Sequence, residues 1–80
     1  MLAVDVGNTH IACGVFAGTD LKDVERVSTA QCIQSGRFFD LLACTRSGIP
    51  SEVIVASVRK AVTEIIVQDC SRTQAVEPFI

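Results

Sequence analysis

Two β-type runs, LAVDV at 2–6 and HIACGVF at 10–16, are separated by only Gly7, Asn8 and Thr9. So short a connection between such runs reads as a β-hairpin. The chain is thereby committed from its start to an antiparallel pair, and every later element has to build on that pair. A two-residue Asn-Gly turn reverses a chain more simply. This hairpin instead carries an acid, Asp5, then a glycine, an amide and a hydroxyl, so its tip is asked for more than a turn.

The next segments extend the pattern. AGTDLKD at 17–23 holds Gly18, Asp20 and Asp23 and predicts a second turn. VERVSTA at 24–30 alternates Val24, Arg26 and Ser28 against Glu25, Val27 and Thr29, which predicts a third antiparallel strand. Ser35 reads as the N-cap of a helix over 36–47, with Phe38, Leu41, Leu42 and Thr45 at helical spacing and Gly48 and Pro50 ending it. EVIVAS at 52–57 is a continuous, β-branched apolar run after a helix, the signature of a strand covered on both faces in the parallel part of a sheet. Over 59–71 the pairs Ala61/Ile65 and Val62/Ile66, followed by Asp69, predict a helix, although the β-branched content pulls the other way. VEPFI at 76–80 reads as a further strand.

The expected order is β-β-β-α-β-α-β, an α/β class with a mixed five-stranded sheet and helices on its faces, built as a meander followed by two right-handed crossover units. No repeat, linker or low-complexity segment divides the chain, so residues 1–80 read as one unit that stops in mid-sheet.

Composition narrows the function. A chain of 80 residues makes one small domain, and such a domain buries about 60–65% of its unfolded surface. With 49% hydrophobic and 20% charged residues it is globular rather than disordered. The net charge is −2 and no basic cluster exceeds Arg59-Lys60, which argues against a nucleic-acid groove or an anionic membrane surface as partner. No apolar run approaches the ~20 residues of a membrane span, and Asp5 and Gly7 interrupt the apolar start where a secretion signal would need it. A cytoplasmic location is expected. Cys13, Cys32, Cys44 and Cys70 are widely spaced with no Cys-x-x-Cys, so they read as reduced, unligated thiols. His10 is the single histidine and has no partner for a metal site or a relay, which makes it a polar strand residue.

The loop itself has a chemical reading. Asp5 lies at the carboxyl end of the first strand and Gly7-Asn8-Thr9 at the tip. Gly7, without a Cβ, permits positive φ and close approach of a ligand. Successive amide N–H groups in a tight turn converge on an anion, and the Asn8 amide and Thr9 hydroxyl add donors. A carboxylate beside a phosphate makes sense with a hydrated Mg²⁺ between them, because that ion keeps several waters and takes one or two carboxylates plus phosphate oxygens. The same residues also fit a plain hairpin in which Asp5 and Asn8 satisfy the turn backbone. Gly14, inside the second strand, fits a ligand's approach or a bulge equally.

DVGNTHIACGVF resembles the first phosphate-binding motif of the type III pantothenate kinases, also called the Bvg accessory factor family, within the actin, sugar kinase and Hsp70 ATPase superfamily. RVSTA is similar to that family's third strand, IVASVR to its "SSV" strand end, and VEPFI to the strand after its second helix. The resemblance covers nearly the whole chain in order. It implies a ribonuclease H-like (actin-like ATPase) subdomain, ATP and Mg²⁺ as cofactors, a monovalent cation (K⁺ or NH₄⁺), pantothenate as the small-molecule substrate, and a homodimer for full-length members. Residue by residue, it implies that Asp5 serves the metal–phosphate site through water, that Asn8 and Thr9 hold ATP phosphates, and that Gly7 makes the turn.

Two departures stand beside it. Many members carry a Pro-Pro pair where this chain has Arg59-Lys60. Members are also much longer, and their catalytic aspartate, Gly-x-Asp-Arg segment and second phosphate motif would lie beyond residue 80, so the resemblance implies an N-terminal part. A non-catalytic α/β interaction or regulatory module, a degenerate relative of the kinases, is the alternative.

Overall fold

A computed structural model of the chain describes residues 1–46, 48 and 50–72, and the backbone of 73 and 74. Strand β1 (Leu2–Val6) turns into β2 (His10–Ala17), which turns into β3 (Asp20–Ser28). Helix α1 (Thr29–Ser35) comes next, then a short 3-10 turn at Phe39–Leu41, strand β4 (Val53–Ser57) and helix α2 (Lys60–Gln74). Among the described residues the sheet has four strands in the order β3-β2-β1-β4. β1 is antiparallel to β2 and parallel to β4. The mixed α/β sheet thus matches the expected class, with four strands rather than the expected five; the fifth, expected over 76–80, lies outside the described residues.

The core occupies one face of this sheet. Cross-strand partners point to the same side, so the register Leu2↔Val53, Val4↔Cys13, Val4↔Val55 and Val6↔Ile11 assembles one continuous apolar row. Cys32 of α1 and Val62, Ile66 and Cys70 of α2 cover it, together with Phe38, Phe39 and Leu42 from the connecting segment. The α2 spacing i, i+4, i+8 is one helical stripe, which is why the β-branched residues there still make a helix: burial decides over propensity. Both helices contribute to this one core, so helices on both faces of the sheet, as the sequence suggests, is corrected among the described residues. β4 is parallel as expected, yet among the described residues it is covered on one face only, and Ile54 remains 39% exposed. The other face is an open trough of about 390 Å³, floored by Ala3, Ala12, Gly14 and Ala56, with Leu21 and Val24 exposed at its rim.

The helix expected over 36–47 is where the sequence reading fails. α1 begins at Thr29, not 36, and the expected strand over 24–30 gives up Thr29 and Ala30 to it while extending back to Asp20. Ser28 is the N-cap, its hydroxyl accepting from the Gln31 N–H at 3.2 Å. Gly36, at φ 67°, closes the helix in the left-handed conformation that a Cβ disfavours, so Ser35 is the last helical residue rather than a cap. From there the apolar residues reach the core without a helix because two distant carboxylates take over the backbone donors. Asp69, 2% exposed on α2, accepts the N–H groups of Phe38 and Phe39 through one oxygen at 3.0 and 2.9 Å. Its other oxygen lies 3.4 Å from the Arg72 guanidinium. Glu25 on β3 accepts from Ala43 and Cys44 at 2.9 Å, and the Ala43 N–H is the main reason its carboxyl sits below the usual range.

A buried N–H left without an acceptor costs about 1–3 kcal/mol. Asp69→Ala strands two of them and is expected to destabilise the chain by about 3 kcal/mol, a large part of the about 4–12 kcal/mol usual at this size. Urea unfolding checks it; a loss under about 1 kcal/mol would show that water or another group takes the place of the carboxylate.

Candidate functional site

Parallel pairing of β1 and β4 brings both carboxyl ends to one edge of the sheet, and the antiparallel β2 and β3 bring the start of β2 and the end of β3 to the same edge. The 7–9 loop, the start of α1 and the Ser57–Lys60 turn therefore meet there. Ser57 organises its own turn: its hydroxyl donates to the Arg59 carbonyl at 2.9 Å and accepts the Arg59 N–H at 3.1 Å. The Val58 N–H reaches across to the Val6 carbonyl at 3.3 Å, tying the ends of the two strands together.

Asp5 is exposed and in register with Ala12 on one side and Ala56 on the other, so its carboxylate rises from the open face between two small side chains. Val4 and Val6, its neighbours, point into the core, and strand alternation fixes Asp5 outward. Asn8 and Thr9 are exposed at the tip. Among the described residues no hydrogen-bond partner is found for the side chains of Asp5, Asn8 and Thr9, or for the Asn8 and Thr9 N–H groups. The structure places Asp5, Gly7, Asn8 and Thr9 on one edge, with the Asn8 and Thr9 donors and the Asp5 carboxylate free toward solvent. Among the described residues the Asp5 and Asn8 side chains do not satisfy the turn backbone.

The loop is held from behind. The Gly7 N–H donates to the His10 carbonyl at 2.9 Å, closing the hairpin. Gly7 is not among the described glycines with positive φ, so the expected reason for it needs correcting. A Cβ there would stand 3.1 Å from the His10 carbonyl oxygen, and it is this close backbone approach that favours glycine. Gly14 is explained by side chains: a Cβ would meet Leu21 at 3.2 Å and Phe16 at 3.3 Å, beside the irregular register at Val15/Phe16.

Thr29 was invisible to the sequence reading as anything but a strand residue. It is wholly buried, its hydroxyl donating to the Gly7 carbonyl and its N–H to the Thr9 carbonyl, both at 3.0 Å. The signal that could have found it is Ser28-x-x-Gln31, a capping-box spacing that starts a helix one residue before Thr29.

The donor set suits a phosphate with its magnesium ion. One exposed carboxylate beside free N–H groups, an amide and a hydroxyl matches an ion held mainly by water and phosphate, not an all-protein cage. Among the described residues no group of three or more His, Cys, Asp or Glu side chains gathers as such a cage would require.

The model of the type III pantothenate kinase family matches residues 1–80. The chain belongs to the type III pantothenate kinase family. No curated protein sequence matches it. Membership relates the chain to kinases and to coenzyme A biosynthesis, and Asp5–Thr9 lie at the carboxyl edge of the sheet. Among the described residues no helix is long and apolar enough to cross a membrane.

The chain has four cysteines. All four are free; Cys13, Cys32 and Cys70 are buried and Cys44 is half-buried. Burial first, then neighbouring Cys44 and Glu25, pushes Cys13 up to about 12, and burial with Glu25 pushes Cys44 up to about 11. A raised thiol pKa means that the folded chain holds its proton where the unfolded chain releases it. The stabilising effect is thus full below about pH 9 and lost as pH rises from there toward 12. Stability is expected to fall across that window, and iodoacetamide is expected to label Cys13 only on unfolding. Labelling of Cys13 in the folded chain at the unfolded rate would contradict this.

Proposed function

We propose that this chain binds the phosphates of ATP on the 7–9 loop, in the service of ATP-dependent phosphorylation of pantothenate to 4′-phosphopantothenate. The observation that carries the reading is the pairing of an outward Asp5 carboxylate with a loop whose Gly7 and Thr9 carbonyls are tied back and whose Asn8 and Thr9 donors are free. Family membership supports the reaction and the acceptor. A ribonuclease H-like subdomain, a K⁺ or NH₄⁺ requirement, a homodimer and a cytoplasmic location belong to the same proposal and rest on the family resemblance.

Phosphoryl transfer asks the protein mostly for positioning and charge stabilisation. Asn8 and Thr9 donate to phosphate oxygens and fix their position. Asp5 would hold Mg²⁺ through water, and the ion would supply neutralisation of phosphate charge. Gly7 keeps the loop close to the β2 backbone so that the donors sit beside Asp5.

The test is an NMR titration of the chain with ATP, with and without magnesium. Amide shifts at Asn8 and Thr9 that require magnesium, and at least tenfold weaker binding in Asp5→Asn with unchanged circular dichroism, are expected. Equal binding by Asp5→Asn, or shifts confined to other parts of the chain, would remove the loop from nucleotide chemistry. Phosphate transfer to pantothenate is followed separately by ADP release.

A further inference from the structure

We propose that Thr29 is a positioning residue for the phosphate loop, setting the direction in which the loop presents its backbone donors; the phosphate part of this inference rests on the proposed ATP site. Thr29 is the first residue of α1, and its side chain is fully buried, beneath a loop in which Asn8 and Thr9 are exposed. It makes two bonds, hydroxyl to the Gly7 carbonyl and N–H to the Thr9 carbonyl, each at 3.0 Å. Two carbonyls of a three-residue loop are therefore drawn toward one residue on the helical side of the sheet.

Peptide geometry turns this into a direction for the donors. No described peptide bond is cis, and in a trans peptide the N–H points opposite to the C=O of the preceding residue. With the Gly7 carbonyl held against Thr29, the Asn8 N–H is turned away from the helical layer. That is the side on which Asp5 projects, because Asp5 alternates with the core residues Val4 and Val6. One buried hydroxyl thus couples the orientation of a phosphate donor to the side of the sheet that carries the acid. Without it the 7–8 peptide is free to flip, which exchanges a donor for an acceptor at the tip and meets an anion with a carbonyl oxygen.

Thr29→Val keeps the shape and the backbone N–H but removes the hydroxyl; Thr29→Ser restores it. In the full chain, the Asn8 amide of Thr29→Val is expected to shift and to lose order on the nanosecond scale while β1 and β2 amides stay in place, with Thr29→Ser resembling the parent. Binding of MgATP is expected to weaken about tenfold, or about 1.4 kcal/mol, in the valine variant and to return in serine. A valine variant with parental Asn8 and Thr9 amides overturns the proposal, as does a serine variant that behaves like valine. If the valine variant does not fold, Thr29→Ser against Thr29→Ala is compared in the same way, and equal loop order in those two overturns it. A parent chain that fails to bind MgATP while its loop still answers to the Thr29 hydroxyl removes the phosphate reading and leaves the positioning role standing.

Discussion

The pairing of β1 on both sides is the constraint on which the rest of the domain depends. Its antiparallel partner comes from a hairpin and its parallel partner from a stretch of chain that has to cross over the sheet. A strand held by both neighbours has its side chains fixed by alternation, with no freedom to rotate one of them to another face. Leu2, Val4 and Val6 go into the core, and Asp5 can only go out. The carboxylate is therefore delivered to the open face by the same register that buries its two neighbours. A slip of one residue would bury Asp5 and expose the valines, so the candidate site and the core are specified together.

The helical layer depends on a different device. A small chain has few residues with which to build a second layer, and between Arg37 and Arg46 this one does so with little regular structure. Backbone donors without a helix still need acceptors when buried. Asp69 on α2 supplies them to the buried Phe38 and Phe39 N–H groups, and Glu25 on β3 does the same for the more exposed Ala43 and Cys44. Because each carboxylate joins elements far apart in sequence, these bonds fix where the segment lies as well as satisfying it. Phe38 and Phe39, with rings 5.1 Å apart and edge-to-face, can then fill the space between the helices and the sheet.

This division explains what could be read in advance. The hairpin, the third strand, the parallel strand at 52–57 and the second helix were legible because each is declared by local alternation, spacing or β-branched content. Asp5, Gly7, Asn8 and Thr9 were legible as a group because chain adjacency brings them together. The helix expected over 36–47 was not, since Phe38, Leu42 and Thr45 are buried at nearly helical intervals, while the segment's backbone is held by Asp69, 31 positions after Phe38, and by Glu25, 18 positions before Ala43. Thr29 escaped for a related reason. Its alternation with Val27 continues the strand pattern, and only the Ser28 and Gln31 pair marks the switch to helix. The one-sided burial of β4 also has no local signature: an apolar run states what a strand tolerates on both faces, not what is present to cover them.

An acid in a loop proposed to hold phosphate needs a physical reason, and magnitudes supply one. Two unit charges 4 Å apart interact by about 1 kcal/mol in water and about 4 kcal/mol near a protein surface. In the proposed site the exposed Asp5 meets a bare phosphate at the weaker end of that range, a repulsion that the Asn8 and Thr9 donors, each worth about 1.5–3 kcal/mol toward a charged group, outweigh. A doubly charged cation between the two would reverse the sign of the carboxylate's contribution and add it to that of the donors. On the proposed function, the carboxylate thus favours metal-bound over free phosphate. The open position of Asp5, fixed by the register of β1, is what keeps that discrimination available.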